Sequence, residues 1–138
     1  MSWIAYAAIS AAAAAMTAVL AKIGVEGVPS NLATAIRTVV VLVFAWGLVL
    51  ALGEQRAVSS LSRRSIVFLT LSALATGASW LAYYRALQLA PASRVAPIDK
   101  MSLPLTLIVA AIFLGEPMTW RLVLGVVLMT IGALITLE

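Results

Sequence analysis

Apolar residues fill five long stretches of the 138-residue chain, and short clusters of Gly, Pro, Ser and charge separate them. The stretches run Trp3–Ile23, Asn31–Leu52, Arg64–Leu89, Arg94–Leu114 and Thr119–Leu137. Each approaches the ~20 residues that an α-helix needs to cross a hydrocarbon core of about 30 Å. The separators read as turns. Gly24-Val-Glu-Gly-Val-Pro-Ser30 carries turn residues, and Ser30 or Asn31 is positioned to cap the second helix. Gly53 to Arg63 is the longest and most polar connection. Pro91 stops the third helix, and Ser93 is placed to cap the fourth. Gly115-Glu-Pro117 stops the fourth, and Thr119 is placed to cap the fifth. The pattern predicts an all-α membrane protein, five transmembrane helices forming one domain over residues 1–138.

An odd number of spans puts the two ends of the chain on opposite sides of the membrane. A copy of such a unit lies upside down only by inserting the other way round, which weak charge bias permits. On the N-terminal side, Arg56, Arg63, Arg64 and Arg121 lie near span ends. On the other side, Lys22 and Arg94 lie at the rim, with Arg37, Arg85 and Lys100 a few residues inside. The balance is four against two at the rims and four against five with the inner residues. That bias admits dual insertion, and a fixed orientation with the N-terminus inside is also open. Paired inverted units are a common architecture of secondary transporters.

Composition narrows the classes. The chain is 64% hydrophobic and 10% charged, where a soluble domain carries about 25% charged residues. The net charge of +4 raises nucleic acid as a partner, but no basic run accompanies it and the basic residues sit at span ends. With no Cys and no His, disulfides are excluded, as are the usual zinc, haem and iron–sulfur ligand sets; no cofactor is expected. Span 1 lacks the basic lead-in of a secretory signal and reads as a retained helix. An intramembrane enzyme has no evident nucleophile–base pair to use.

Arg37, Arg85, Asp99 and Lys100 lie inside apolar spans, where each costs roughly 2.5–3.5 kcal/mol near a helix centre on insertion scales. Arg85 is seven residues before Ala92 and Asp99 seven after it. Both therefore sit roughly 10 Å below that turn, on antiparallel neighbours, which predicts an Arg85–Asp99 ion pair. Arg37 enters from the same side to roughly 9 Å, and Lys100 points about 100° away from Asp99. Trp80, Tyr83 and Tyr84 lie on or just below this layer. Two readings are open. One is an ion pair with Arg37 and Lys100 snorkelling beside an aromatic belt. The other is a polar cavity in which Arg37, Arg85, Lys100, Trp80, Tyr83 and Tyr84 bind an anionic or zwitterionic solute, with Asp99 the candidate for proton coupling because burial disfavours its charged form. Pro104 predicts a helix break and a freed Lys100 carbonyl, while Pro97 falls in a first turn, where proline is tolerated. Small residues mark packing faces in lipid. Gly125, Met129 and Gly132 share one such face, for packing within the chain or for a dimer interface.

These residues also carry a resemblance. Trp80-Leu-Ala-Tyr-Tyr-Arg-Ala-Leu-Gln88, Ala92-Ser-Arg-Val-Ala96, Phe113-Leu-Gly-Glu-Pro117, and Gly125 with Gly132 resemble the EamA domain of the drug/metabolite transporter superfamily. Arg37 after Asn31-Leu-Ala-Thr fits the same domain, and the match covers nearly the whole chain. The resemblance implies a membrane transporter. Ten-helix relatives hold two inverted five-helix repeats around a cavity; this chain is similar to the short, single-repeat type, which needs a homodimer or an oppositely oriented paralogue. It is more distantly similar to small multidrug-resistance proteins, but span 1 lacks their glutamate.

The expectation is thus a secondary transporter for a small metabolite in a prokaryotic inner membrane, working by alternating access as an antiparallel dimer. Lipid and the small-molecule substrate are its other partners. A lipid-flippase subunit binding headgroups through Arg37 and Lys100, and a non-transporting membrane partner subunit, are the rival readings.

Overall fold

The computed structural model describes residues 2–137, and every regular element among them is helical. Helix α1 covers Trp3–Gly24, α2 Ser30–Ala51, α3 Arg63–Leu89, α4 Ala92–Asp99, α5 Ser102–Leu114 and α6 Trp120–Ile135. A 3₁₀ segment, Glu54–Ser60, occupies the polar connection between α2 and α3.

Among the described residues, four stretches are long and apolar enough to cross a membrane: α1, α2, α3 and the α4–α5 pair over Ala92–Leu114. The last helix is apolar but shorter, with 16 residues, about 24 Å of rise. Its start is fixed by Thr119, whose Oγ1 accepts from the Leu122 N–H at 3.4 Å, as its side chain and position suggest. The fold is therefore all-helical and membrane-spanning, with four helices of spanning length and a fifth apolar one.

The chain divides into two compact units, one of residues 1–19 with 90–138, the other of residues 20–89. In the second unit α2 packs on α3 and on the 3₁₀ segment. Its core is small: Leu87 and Val25 are fully buried, with Ala21, Tyr84 and Thr34 beside them. In the first unit α6 packs on α4 and α5, burying Val95 and Ala133, while Ala18 of α1 is buried in the same unit. Most large apolar side chains along the spans stay uncovered, among them Phe44, Leu74, Phe113 and Val43. In water such faces would drive aggregation; in a bilayer lipid covers them. Hydroxyls within the spans are satisfied at home, as that solvent demands. Thr38 donates to the Thr34 carbonyl, Thr70 to Ile66, Thr76 to Ser72 and Thr130 to Val126, all at 2.8–2.9 Å.

The helix ends correct several sequence expectations. Neither Ser30 nor Asn31 caps α2; Pro29 holds the N-cap position, without a side-chain bond. Gly27 at φ +71° shapes the turn before it. Ser93 lies inside α4, whose N-cap is Pro91. In both cases a proline with extended ψ is already preset for helix entry, so the hydroxyl falls one or two residues too late to cap. Helix α4 begins at Ala92 rather than Arg94, which moves Pro97 from the first turn to the helix interior.

The expected break in span 4 is present, but it falls at Lys100–Met101, ahead of Pro104. Proline clashes with the carbonyl four residues back, so the interruption appears at that point, and Pro104 sits in the first turn of α5. The Lys100 carbonyl is not left free. It accepts from the Leu103 N–H at 2.9 Å, and Met101 N–H donates to Ile98 at 2.9 Å. A short 3₁₀-type run thus takes up what proline cannot donate.

Helix α5 ends at Gly115, φ +67°, where the Glu116 N–H reaches back to the Ala110 carbonyl at 3.4 Å. A Cβ added at Gly115 or at Gly77, mid-α3, meets no described atom within 4 Å, so only backbone preference separates the two sites. Gly115→Ala should destabilise the protein by about 1 kcal/mol, and Gly77→Ala should be neutral or stabilising by up to about 1 kcal/mol. Thermal unfolding in one detergent reads both. Equal midpoints for the two variants would contradict the left-handed terminus.

Candidate functional site

The side chains that could meet a solute gather at one end of the second unit, where α1 closes, the Val25–Val28 turn runs, α2 begins and α3 ends. Arg37, two turns into α2, is half-buried. Its guanidinium carbon lies 4.1 Å from the ring centroid of Trp80 and 5.8 Å from that of Tyr84. Trp80 and Tyr84 are four residues apart on α3 and so share a face. Stacking on aromatic faces is worth about 0.5–2 kcal/mol, more as water is excluded. It needs none of the guanidinium's N–H donors, which stay available to another partner. Among the described residues no carboxylate pairs with Arg37 and no hydrogen bond from it is formed. Tyr84 is 6% exposed; the half-buried Tyr83 meets it edge-on, with ring centroids 6.5 Å apart at 65°.

A polar clip holds this end together. Lys22 Nζ, in the last turn of α1, donates to the Leu87 carbonyl at 2.6 Å. Leu87 is in the last turn of α3, where carbonyls have no partner within the helix, and a cation there also offsets the negative end of the helix dipole. Gln88 Nε2 donates to the Val28 carbonyl at 2.6 Å and approaches that of Val25 at 3.5 Å, while its Oε1 accepts from Arg85 at 3.0 Å. The turn between α1 and α2 is thereby tied to the end of α3, and the tie fixes the stretch of α3 that presents Trp80 and Tyr84.

The two charges expected to pair with each other have other partners. Arg85 is held by Gln88, one helical turn on. Asp99 takes Lys100, with Nζ to Oδ2 at 3.3 Å. The reason is proximity. Gln88 lies on Arg85's own helix face, and Lys100 is Asp99's neighbour in the chain. Both members of the Asp99–Lys100 pair are well exposed, at 38% and 55%; such contacts contribute little to stability. Of the candidate residues, the structure thus brings together Arg37, Trp80, Tyr83, Tyr84 and Arg85 in one unit. Asp99, Lys100 and Pro104 lie at the helix break in the other. Gly125, Met129 and Gly132 lie along α6, exposed, and a Cβ at either glycine meets no described atom within 4 Å.

Lys22 and Gln88, which tie this end together, are residues that sequence reasoning misses, since Lys22 reads as a boundary charge. The depth arithmetic that locates Arg85 would find it. Spans 1 and 3 end on the same side, so a lysine near the end of one lies level with the orphan carbonyls of the other.

Comparison with known proteins agrees with this fold. The model of the EamA-like transporter family matches residues 1–138. A protein of Sinorhizobium sp. named "Uncharacterized transporter in cobO 3'region" is 49% identical over 134 residues, covering 97% of this chain and 95% of its own. No solved structure matches. The chain belongs to the EamA-like transporter family and is an integral membrane protein of the transporter class.

Lys22→Met removes a charged donor from a buried helix end and should lower stability by about 1–2 kcal/mol, whereas Lys22→Arg should retain most of it. Unfolding midpoints in detergent measure both. No loss in the methionine variant would show that water serves the Leu87 carbonyl equally well.

Proposed function

We propose that the protein is a secondary transporter for a small solute bearing a carboxylate or another planar anion, and that Arg37 holds the anion. The observation that carries this reading is the Arg37 guanidinium, stacked on Trp80 and Tyr84 with its donor edge unpaired among the described residues. Carboxylate geometry matches that edge with two parallel hydrogen bonds. The surrounding charge favours an anion as well: Lys22, Arg37 and Arg85 against Glu26 leave this end of the unit at +2. Trp80, Tyr83 and Tyr84 supply apolar walls and one or more hydroxyls, so a zwitterionic or amphipathic solute also fits.

The working form in this proposal is a dimer of inverted units in a prokaryotic inner membrane. Helix α6 serves as the fifth span, its ends completed at the interface. The open space beside Gly125 and Gly132 supports a second chain packing there. Asp99, at the α4–α5 break and paired with Lys100, is the proposed proton carrier. Discontinuous helices at such positions are a recurrent element of transporters.

Proteoliposomes counterloaded with a panel of amino acids and short carboxylates test the site. At least one carboxylate should accumulate, and Arg37→Gln should reduce its uptake about tenfold or more. Arg37→Lys should rescue only partially, since lysine lacks the planar fork, and Asp99→Asn should flatten the pH dependence. Wild-type uptake by Arg37→Gln would sink the proposal. The assembly has its own test. Accessibility tags on both termini should find each terminus on both sides of the membrane; a single orientation for every copy would refute the inverted homodimer.

A further inference from the structure

A second feature lies at the other end of the α2–α3 pair, away from Arg37. The 3₁₀ segment Glu54–Ser60 lies along the end of α2, and between them is an open depression of about 740 Å³. Its floor and walls are mainly apolar, from Trp46 and Val49 of α2 and from Val58 and Leu61. Glu54 and Arg56 line it as well. Two residues past Leu61, α3 opens with Arg63 and Arg64. The Arg64 guanidinium leans back over the Phe68 ring at 5.8 Å, toward the apolar stretch of its own helix. Ser62 already satisfies the start of α3, its Oγ accepting from the Ser65 N–H at 3.0 Å, and no carboxylate pairs with any of the three arginines among the described residues.

Such an arrangement has an apolar and a cationic half that one ligand satisfies together. An apolar trough at the edge of a spanning helix suits an acyl chain. Three arginines against one glutamate, at the level where the helix leaves the hydrocarbon, suit a phosphate with uncompensated negative charge. A free anion would use the arginines and leave Trp46 and Val58 uncovered. A zwitterionic lipid would fill the trough but bring its own cation to the arginines. We propose that this depression is a binding site for an anionic phospholipid, with one acyl chain along Trp46, Val49, Val58 and Leu61 and its headgroup phosphate at Arg56, where Arg63 and Arg64, two and three residues past Leu61, add positive charge. The site is independent of solute binding at Arg37 and stands or falls separately.

Brominated phosphatidylglycerol and brominated phosphatidylcholine, mixed with the full chain in detergent micelles, test this through quenching of Trp46. Its contribution is isolated by difference from Trp46→Phe. Phosphatidylglycerol should quench at an approximately tenfold lower mole fraction than phosphatidylcholine, a conservative expectation for three arginines each contributing near the membrane surface. Raising NaCl from about 0.05 to about 0.5 M should collapse that preference. Arg56→Gln/Arg63→Gln/Arg64→Gln should abolish it, and the triple lysine variant should keep most of it. Equal quenching by the two lipids, a preference that survives salt, or displacement of the lipid by inorganic phosphate would overturn the proposal. Should the glutamine variant fail to fold, Val58→Gln decides. It leaves every arginine in place, and undiminished quenching by phosphatidylglycerol would count against the site.

Discussion

The last carbonyls of a helix have no partner within it, and inside a bilayer no water makes up the deficit. In this protein that constraint is met at the end of α3 by Lys22 and by the joint that Gln88 makes with the α1–α2 turn. The consequence reaches beyond stability. A lysine from one helix and a carbonyl from another fix their relative depth to within a hydrogen bond, and Gln88 does the same for the turn. Arg37 follows that turn by two helical turns, and Trp80 precedes Gln88 by two. The cation–π stack is therefore held at one end by bonds whose breakage would leave bare polar groups in an apolar medium. Two small interactions gain precision because the medium penalises their loss.

The medium also explains how little of each unit is core. Leu87 and Val25 are fully buried, yet long rows of Leu, Val and Phe remain uncovered. In lipid these side chains need no protein neighbour, so hydrophobicity does not choose which helix faces meet. Selection falls to small residues, to the aromatic face of α3 and to the few polar groups. That is why a handful of residues at one end of the second unit settles so much of its geometry.

Much of the architecture was legible in the chain. Four of the five spans were readable because length and apolar continuity are set by bilayer thickness, the fifth helix being apolar but shorter, and Gly115 and Thr119 mark the joint before it through backbone conformation and capping. The grouping of Arg37 with Trp80 and Tyr84 follows from depth counting and four-residue spacing. Other features were not legible. Caps at Ser30 and Ser93 looked sound, but proline at positions 29 and 91 starts each helix earlier. The Arg85–Asp99 pair was inferred from equal depth alone; each of the two has a nearer partner on its own stretch of chain, Gln88 for Arg85 and Lys100 for Asp99. The Lys100 carbonyl looked orphaned under α-helical bonding, whereas a tightened run of i→i+3 bonds supplies its donor. Each miss came from a choice between two local geometries that the residue types alone do not decide.

The redistribution of charge sharpens what the interior can recognise. Had Arg85 and Asp99 neutralised each other, Arg37 and Lys100 would remain as two separate positive centres. With Asp99 on Lys100, that pair is locally neutral, while at this end of the second unit Arg37, Arg85 and Lys22 outnumber Glu26. Lys22 and Arg85 are engaged by a carbonyl and an amide, which satisfy their donors without cancelling their charge. Arg37 alone of the three lies over aromatic rings, and its N–H donors have no partner among the described residues. Field and geometry thus converge on one guanidinium. In the proposed reading, an anionic solute bonds to the one guanidinium whose donors are open, at an end of the unit where cations outnumber acids.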